Sequence, residues 1–311
     1  MLPAFLTTVL FSISALCGHR SAKLIGGTEA NFWRLAFATL FLAIWSYGFG
    51  VGLEGAAFPL FFVSGVIGIG FGDVALFQAL PRLGSRLSLL LIQCLTAPFG
   101  ALIEWLWLRT KLTPIQIGSG FTILAGVAIA LTPSEHLKVN RRVLVLGTVF
   151  SILAALGGAG GAVLSRKAYE VARAHAERID GANAAFQRII GGLLVAAVFL
   201  VVVKRQQLLA FTNARTPEGT DVASNKWRRV FPWVLANGLA GQTLGVSCMQ
   251  RAFETTPTGI VLPIIAMTPI VVIPFAWAFE GEAPTRRSLM GALIAVGGVT
   301  ALTLASAAHR Q

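Results

Sequence analysis

Two stretches decide how this chain is read: PFGALIEWLWLRTKLTPIQIGSGFTILAGVAIALT at residues 98–132 and PIVVIPFAWAFEGEAPTRRSLMGALIAVGGVTALT at 269–303. Aligned without a gap, 171 positions apart, Pro98 answers to Pro269, Gly120 to Gly291, Gly126 to Gly297, and Ala130-Leu131-Thr132 to Ala301-Leu302-Thr303. Each copy is a proline inside an apolar helix, followed by a second, glycine-spaced apolar helix. The chain therefore reads as an internal duplication within a membrane protein.

Composition carries the membrane half of that reading. With 55% hydrophobic and 12% charged residues and a mean hydropathy of +0.75 over 311 residues, the apolar side chains exceed what a soluble core can hide. A hydrocarbon core of about 30 Å takes about 20 residues per helix, and ten such spans follow: 2–22, 31–50, 58–79, 86–108, 114–132, 143–163, 184–203, 232–252, 258–279 and 287–306. Ten divides into two repeats, 1–133 and 143–311. Because each repeat crosses an odd number of times, the second begins on the opposite side of the membrane. The expected fold is all-α, ten transmembrane helices as two inverted five-helix repeats. Weaker matches extend the symmetry: Lys23 with Lys167 closing the first helix of each half, and Arg34 with Arg188 opening the second. The changing offset is assigned to loop insertions at Ser165–Asn183 and Lys204–Phe231.

Several alternatives are weighed and set aside. Met1–Cys17 has the length of a secretory signal but lacks a basic start, and Leu16 is too large for the usual cleavage site, so the segment reads as helix one. Cys17, Cys94 and Cys248 are odd in number, lie in apolar spans and have no histidine spacing, so neither a disulfide framework nor a metal site is expected. The net charge of +12 sits at span ends, where it meets lipid headgroups rather than nucleic acid. With a cytoplasmic N-terminus only nine of the 25 Lys and Arg residues lie inside, so the positive-inside rule points to an external one.

Small residues recur at helical spacing in four stripes: Gly238, Gly241, Gly245, Cys248 and Ala252; Ser64, Gly68 and Gly72; Gly157 and Gly161; and Gly291, Ala295 and Gly298. Such stripes let helices approach in lipid, and the run Gly68-Ile69-Gly70-Phe71-Gly72 reads as packing rather than a phosphate loop. Pro98 and Pro269 each free a carbonyl four residues back, at Cys94 and Ile265. An unmet carbonyl costs several kcal/mol in hydrocarbon, on the order of any unsatisfied backbone group, so it should face protein or a wet cavity, which makes these helices candidate cavity walls.

Ionisable and amide groups inside spans supply the remaining candidates. Asp73 is read either as a substrate or proton site or as a helix-to-helix hydrogen bond. His19 is a candidate for the pathway, and Arg20 beside it for snorkelling to the headgroups. Glu104 is a pathway carboxylate or the partner of Arg109. Thr243, Ser247 and Gln250 share one face of helix eight, and Gln93 is a weaker candidate on helix four. Arg34 and Arg188 either gate anionic solutes or anchor helix ends, and the twofold would put them near opposite membrane surfaces.

Ala15-Leu16-Cys17-Gly18-His19 through Lys23, Gly72-Asp73 with Gln78-Ala79-Leu80 through Gly84 leading to Pro98, and Phe279-Glu280-Gly281-Glu282 stand in the order that resembles the EamA family of the drug/metabolite transporter superfamily, over nearly the whole chain. The resemblance implies a bacterial inner-membrane carrier of small organic solutes, often an exporter, with a cavity between the halves and both termini cytoplasmic. That orientation opposes the charge count. Cys17 and His19 depart from the tryptophan and small polar residue common around the helix-one glycine, and Arg109-Thr110-Lys111 replaces the Gly-Glu pair expected there.

The function expected is secondary transport of a small polar or amphipathic metabolite by alternating access, driven by a solute or proton gradient through Asp73. No nucleotide loop, metal cluster or nucleophile with a matched base is read, so no cofactor is expected. Its partners are then a small-molecule solute and membrane lipids, with room for a homodimer and no role for nucleic acid. Two other classes are kept: an intramembrane enzyme using Asp73, His19 and Glu104 on a lipid-linked substrate, and a non-transporting sensor or scaffold built on the loop from Lys204 to Phe231.

Overall fold

A computed structural model describes residues 1–131, 140–213, 220–273 and 285–308. Among the described residues ten helical segments follow in order: α1 (Leu2–Ile25), α2 (Gly27–Phe49), α3 (Phe58–Leu80), which runs on without a break into α4 (Ser88–Leu108), α5 (Pro114–Leu131), α6 (Arg141–Ala174), α7 (Gly181–Asn213), α8 (220–255), α9 (Thr258–Ile273) and α10 (Arg286–Ala308). Eight of them, α1 to α7 and α10, are long and apolar enough to cross a bilayer, and α9 is a shorter apolar helix. The expected eighth span, 232–252, lies within α8, whose last turns carry Gln250, Arg251 and Glu254 and dilute its hydropathy. The expected loop insertions are largely helical instead: α6 continues to Ala174 and α7 to Asn213. Apolar groups such as Val198, Leu293 and Leu304 lie exposed on the outside, as a lipid-facing surface requires.

Local chemistry starts the helices where the chain turns. Thr113 and Gln116 form a capping box at α5, with Gln116 N donating to Thr113 Oγ1 at 3.3 Å and Thr113 N to Gln116 Oε1 at 2.9 Å. The equivalent start of α10 uses Thr285, whose Oγ1 accepts from Ser288 N at 3.2 Å. Asp180 caps α7 by accepting from Ala182 N at 2.7 Å and Asn183 N at 2.9 Å.

The inversion is visible where equivalent helices meet. At one end of the α2–α7 pair, Glu29 pairs with Lys204. At the other, Asn183 Oδ1 accepts from Val51 N and Gly52 N at 3.0 Å. The two second helices therefore run antiparallel. So do α5 and α10, the two fifth helices: Gln116 near the start of α5 meets Ser306 near the end of α10 at 3.5 Å, and Ala130 near the end of α5 meets Ser288 near the start of α10. Antiparallel contact between counterparts is what a twofold axis in the membrane plane produces.

The third helices repeat the relation. Residues Val66–Phe71 of α3 and Gly238–Gly245 of α8 are both π-helical. The first of these wide turns packs on α6 and α7, and the second on α1 and α2. Each half thus lays its wide turn against the first two helices of the other. A Cβ on Gly65 would strike the carbonyl oxygen of Arg188, and one on Gly238 would come within 3.0 Å of the carbonyl oxygen of Arg34.

The small-residue stripes are contact lines. A Cβ on Gly161 would lie 2.9 Å from the Cα of Gly68, and one on Gly157 would lie 3.1 Å from the Cα of Gly72, so α3 and α6 touch backbone to backbone. On α5, a Cβ at Gly126 would come within 2.5 Å of Ala295 N and Gly291 O of α10. The repeat-equivalent Gly297 has nothing within 4 Å, and Gly120 faces Pro263 instead. The α5–α10 contact is consequently off its axis.

Gly126→Val should cost about 1–3 kcal/mol of stability through forced separation of α5 and α10, seen as a lower melting temperature in detergent that Gly297→Val does not share. In a cysteine-free background, Gln116→Cys with Ser306→Cys should crosslink within one chain, and a pair that stays unlinked would contradict the antiparallel packing.

Candidate functional site

Asp73 lies on α3, two residues past the wide stretch, and meets the second helix of its own half. Its Oδ2 accepts from Arg34 Nη2 at 2.9 Å, while Arg34 Nε donates to Asn31 Oδ1 at 2.7 Å, one helical turn away. Both members of the pair are about one-fifth exposed. Arg188, on α7 of the other half, is within electrostatic reach of the same carboxylate. Its side chain is buried, and its Nε and Nη1 have no partner among the described residues. Arg34 binds the carboxylate of α3, and Arg188 is buried with its Nη2 beside Gly68 of α3 and Gly161 of α6.

Glu104 is the second buried carboxylate, 1% exposed. Its partner is Arg166 of α6, with Nε at 3.1 Å, and not Arg109, which is exposed and closes α4 in the left-handed conformation at φ 58°. Glu104 Oε2 also accepts from Thr258 N at 2.6 Å and from the Thr258 hydroxyl, and Oε1 from Thr110 at 3.2 Å. The carboxylate thus caps the first turn of α9, where free N–H groups and the helix dipole favour an anion. Arg166 Nη1 in turn donates to Phe253 O at 2.9 Å. This network ties α4, α6, α8 and α9 together, which makes Glu104 a structural junction.

A cavity of about 450 Å³ opens beside it. Pro98, Ala101 and Trp105 of α4, Gln116, Gly120 and Phe121 of α5, and Gly259 and Pro263 of α9 line it, with Thr110 and Lys111 at its polar end. Pro98 is one of the lining residues, and Pro269 is not. The reason lies in how α9 is broken at Ala266–Met267. The carbonyl of Ile265, which Pro269 frees, accepts from Thr268 Oγ1 at 2.6 Å, and that of Ile264 accepts from Thr8 Oγ1 of α1 at 3.1 Å. Of the two partners open to a freed carbonyl, protein or a wet cavity, these carbonyls take protein hydroxyls. Ser12 Oγ of α1 adds a bond to Thr268 O at 3.1 Å.

The remaining candidates scatter. His19 is exposed and is not among the residues lining the cavity. Arg20 lies over the Trp233 ring at 4.4 Å instead of reaching for headgroups. Gln93 is half-buried on α4 and away from the cavity lining. On α8, Ser247 Oγ donates to Thr243 O at 2.5 Å, whereas Thr243 Oγ1 and both amide atoms of the fully buried Gln250 have no partner among the described residues. Phe279–Glu282, which carried part of the resemblance, lie outside the described residues.

Sequence reasoning passed over Asn31, Tyr169 and the hydroxyls of α1. Asn31 and Arg34 have i, i+3 spacing, and Thr7, Ser14 and Ser21, all buried, recur every seven residues. That periodicity on one helix face was the available signal.

Removing Glu104 strands Arg166, and breaking a buried pair from one side costs about 3–5 kcal/mol. Glu104→Ala should melt far below the parent in detergent, and Glu104→Gln with Arg166→Gln should recover much of the loss. Equal melting of the single and double variants would remove the coupling.

Comparison with known proteins agrees with this architecture. No curated protein matches. A solved structure described only as "Crystal structure of protein" aligns with 100% of this chain and 98% of its own at a TM-score of 0.76 and 16% identity, which shows a shared fold. A model of the EamA-like transporter family matches residues 1–132 and 145–304, one after the other along the chain. Two matches of that breadth on an inverted pair of five-helix halves place the chain in the EamA-like transporter family.

Proposed function

We propose that this protein is a secondary carrier that moves a small polar or amphipathic metabolite outward across the bacterial inner membrane, by rocking the halves 1–133 and 143–311 about their shared interface. The carrying observation is the Arg34–Asp73 ion pair on α2 and α3, with the equivalent arginine of the other half, Arg188, buried against Gly68 of the same α3 inside an apolar bundle. Charges are expensive there and are kept where solute or protons pass. The arginines come from opposite halves, so relative movement of the halves alters the field at Asp73. A proton taken up by Asp73 would release Arg34, which links protonation to rearrangement.

The enzyme alternative loses its chemistry on the same geometry. Asp73 is held by Arg34 and Glu104 by Arg166, and general acid–base work needs groups within reach of a common reacting atom. The solute and membrane lipids are the partners of this reading, and nothing in it calls on nucleic acid.

Proton coupling is tested in proteoliposomes with an imposed pH gradient. Asp73→Asn should lose the gradient-driven component of transport while exchange of solute across the membrane persists. Transport by Asp73→Asn with the parent's dependence on the gradient would remove Asp73 as the proton site.

A further inference from the structure

The cavity of about 450 Å³ beside Glu104 takes no part in the Arg34–Asp73 pair, and its shape points to an occupant of its own. One of its walls is α5, which packs on α10, α4 and α9 at the edge of the bundle. Leu102, Trp105, Ile117 and Phe121 in the lining are each 46% exposed or more, and Leu106 and Thr122 beside them are exposed as well, so the cavity is a groove open to the lipid-facing surface. The off-axis contact of α5 with α10 leaves it free. A Cβ on Gly291 would strike Gly126 and Ala130, while one on its counterpart Gly120 would meet only Pro263, at 3.7 Å.

Depth and charge say what fits. Along α4 the lining runs from Ala97 through Trp105 to Thr110 and Lys111 in the turn after Leu108. That stretch of helix rises about 16 Å, about half of a hydrocarbon core of about 30 Å, so the groove is one leaflet deep. At its surface end Thr110 bonds Glu104 and Gln116 caps α5, which leaves the ammonium of Lys111. Glu104 itself is paired with Arg166, and none of the five ion pairs among the described residues uses Lys111 or its exposed neighbour Arg109. At the offset of 171, Arg109-Thr110-Lys111 answers to Glu280-Gly281-Glu282, and the inversion assigns that turn to the opposite surface. The duplication therefore carries opposite charge at its two equivalent turns.

An apolar slot one leaflet deep, under a free ammonium at headgroup level, matches a lipid with an anionic head, and lysine binds phosphate as a point charge. We infer that the groove holds one acyl chain of an anionic phospholipid, with the phosphate on Lys111. The chain would lie on Gly259 and Pro263, next to the Thr258 that Glu104 caps, and so brace the first turns of α9. Such a lipid is a resident partner whether or not the protein moves a solute.

The test follows melting of the full chain in non-ionic detergent during titration with dioleoyl phosphatidylglycerol, dioleoyl phosphatidylcholine, oleate, or glycerol 3-phosphate as the head without chains. Phosphatidylglycerol should raise the melting temperature saturably, at a half-saturating amount about fivefold below that of phosphatidylcholine, the effect of one lysine on an anionic lipid. Lys111→Gln should remove that preference. Gly120→Leu places a side chain in the groove without a backbone clash, and should raise the half-saturating amount of phosphatidylglycerol about tenfold, the loss of about two buried methylenes.

Equal response to the two phospholipids, a preference that survives Lys111→Gln, or parent-like affinity in a folded Gly120→Leu overturns the inference. Oleate that stabilises where phosphatidylglycerol is inert makes the occupant a free amphiphile and overturns it too, as does glycerol 3-phosphate acting as well as the whole lipid. Should Gly120→Leu not fold, Lys111→Gln, a change at an exposed turn residue, decides.

Discussion

Backbone-to-backbone contact between glycines of α3 and α6 is the interaction on which the rest leans. In hydrocarbon a helix gains little by burying leucines against another helix, because lipid is equally apolar, and association falls to close packing and polar bonds. Gly68 and Gly72 against Gly157 and Gly161 bring an element of each half to the closest approach the chain permits. That approach also sets the space around the Arg188 side chain. A larger residue at Gly68 or Gly161 would close the space and part the helices at once. Packing and the charged centre are therefore one feature seen from two sides.

Hydroxyls perform the second half of the work. Thr8, Ser12 and Thr268 satisfy carbonyls at the break in α9, and Ser64 donates to Gly161 O at 2.6 Å between the halves. These groups can exchange one carbonyl for another at low cost, unlike a fixed ion pair. The Glu104 junction behaves differently: it holds α9 by its first turn through a charged cap. The bundle thus combines one rigid tie with several adaptable ones.

Much of the architecture was legible because duplication and hydropathy are sequence properties. The proline-and-glycine repeat, the odd crossing number and the small-residue stripes follow from spacing alone, and Gly68, Gly126, Gly157, Gly161 and Gly291 stand at close helix contacts. Pairing was not legible. Glu104 chose Arg166, 62 positions away, over the neighbouring Arg109, because Arg109 turns outward at the left-handed end of α4. Pro269 left open whether protein or water meets the Ile265 carbonyl that Thr268 takes, since a proline shows which carbonyl is freed and not which donor takes it. Arg188 looked like a helix-end anchor from its place near the start of α7. Its burial depends on glycines of two other helices, which no local pattern announces.

The paired wide turns carry a mechanical corollary. A π-helical turn is a register defect that can bend or migrate along its helix, and here each one is clasped by the opposite repeat. A hinge in one half works only against walls owned by the other, so an isolated five-helix unit would possess a joint with no socket. Fusion into a single polypeptide guarantees both sockets in equal number, and makes any flexing of one side a load felt directly by its twin.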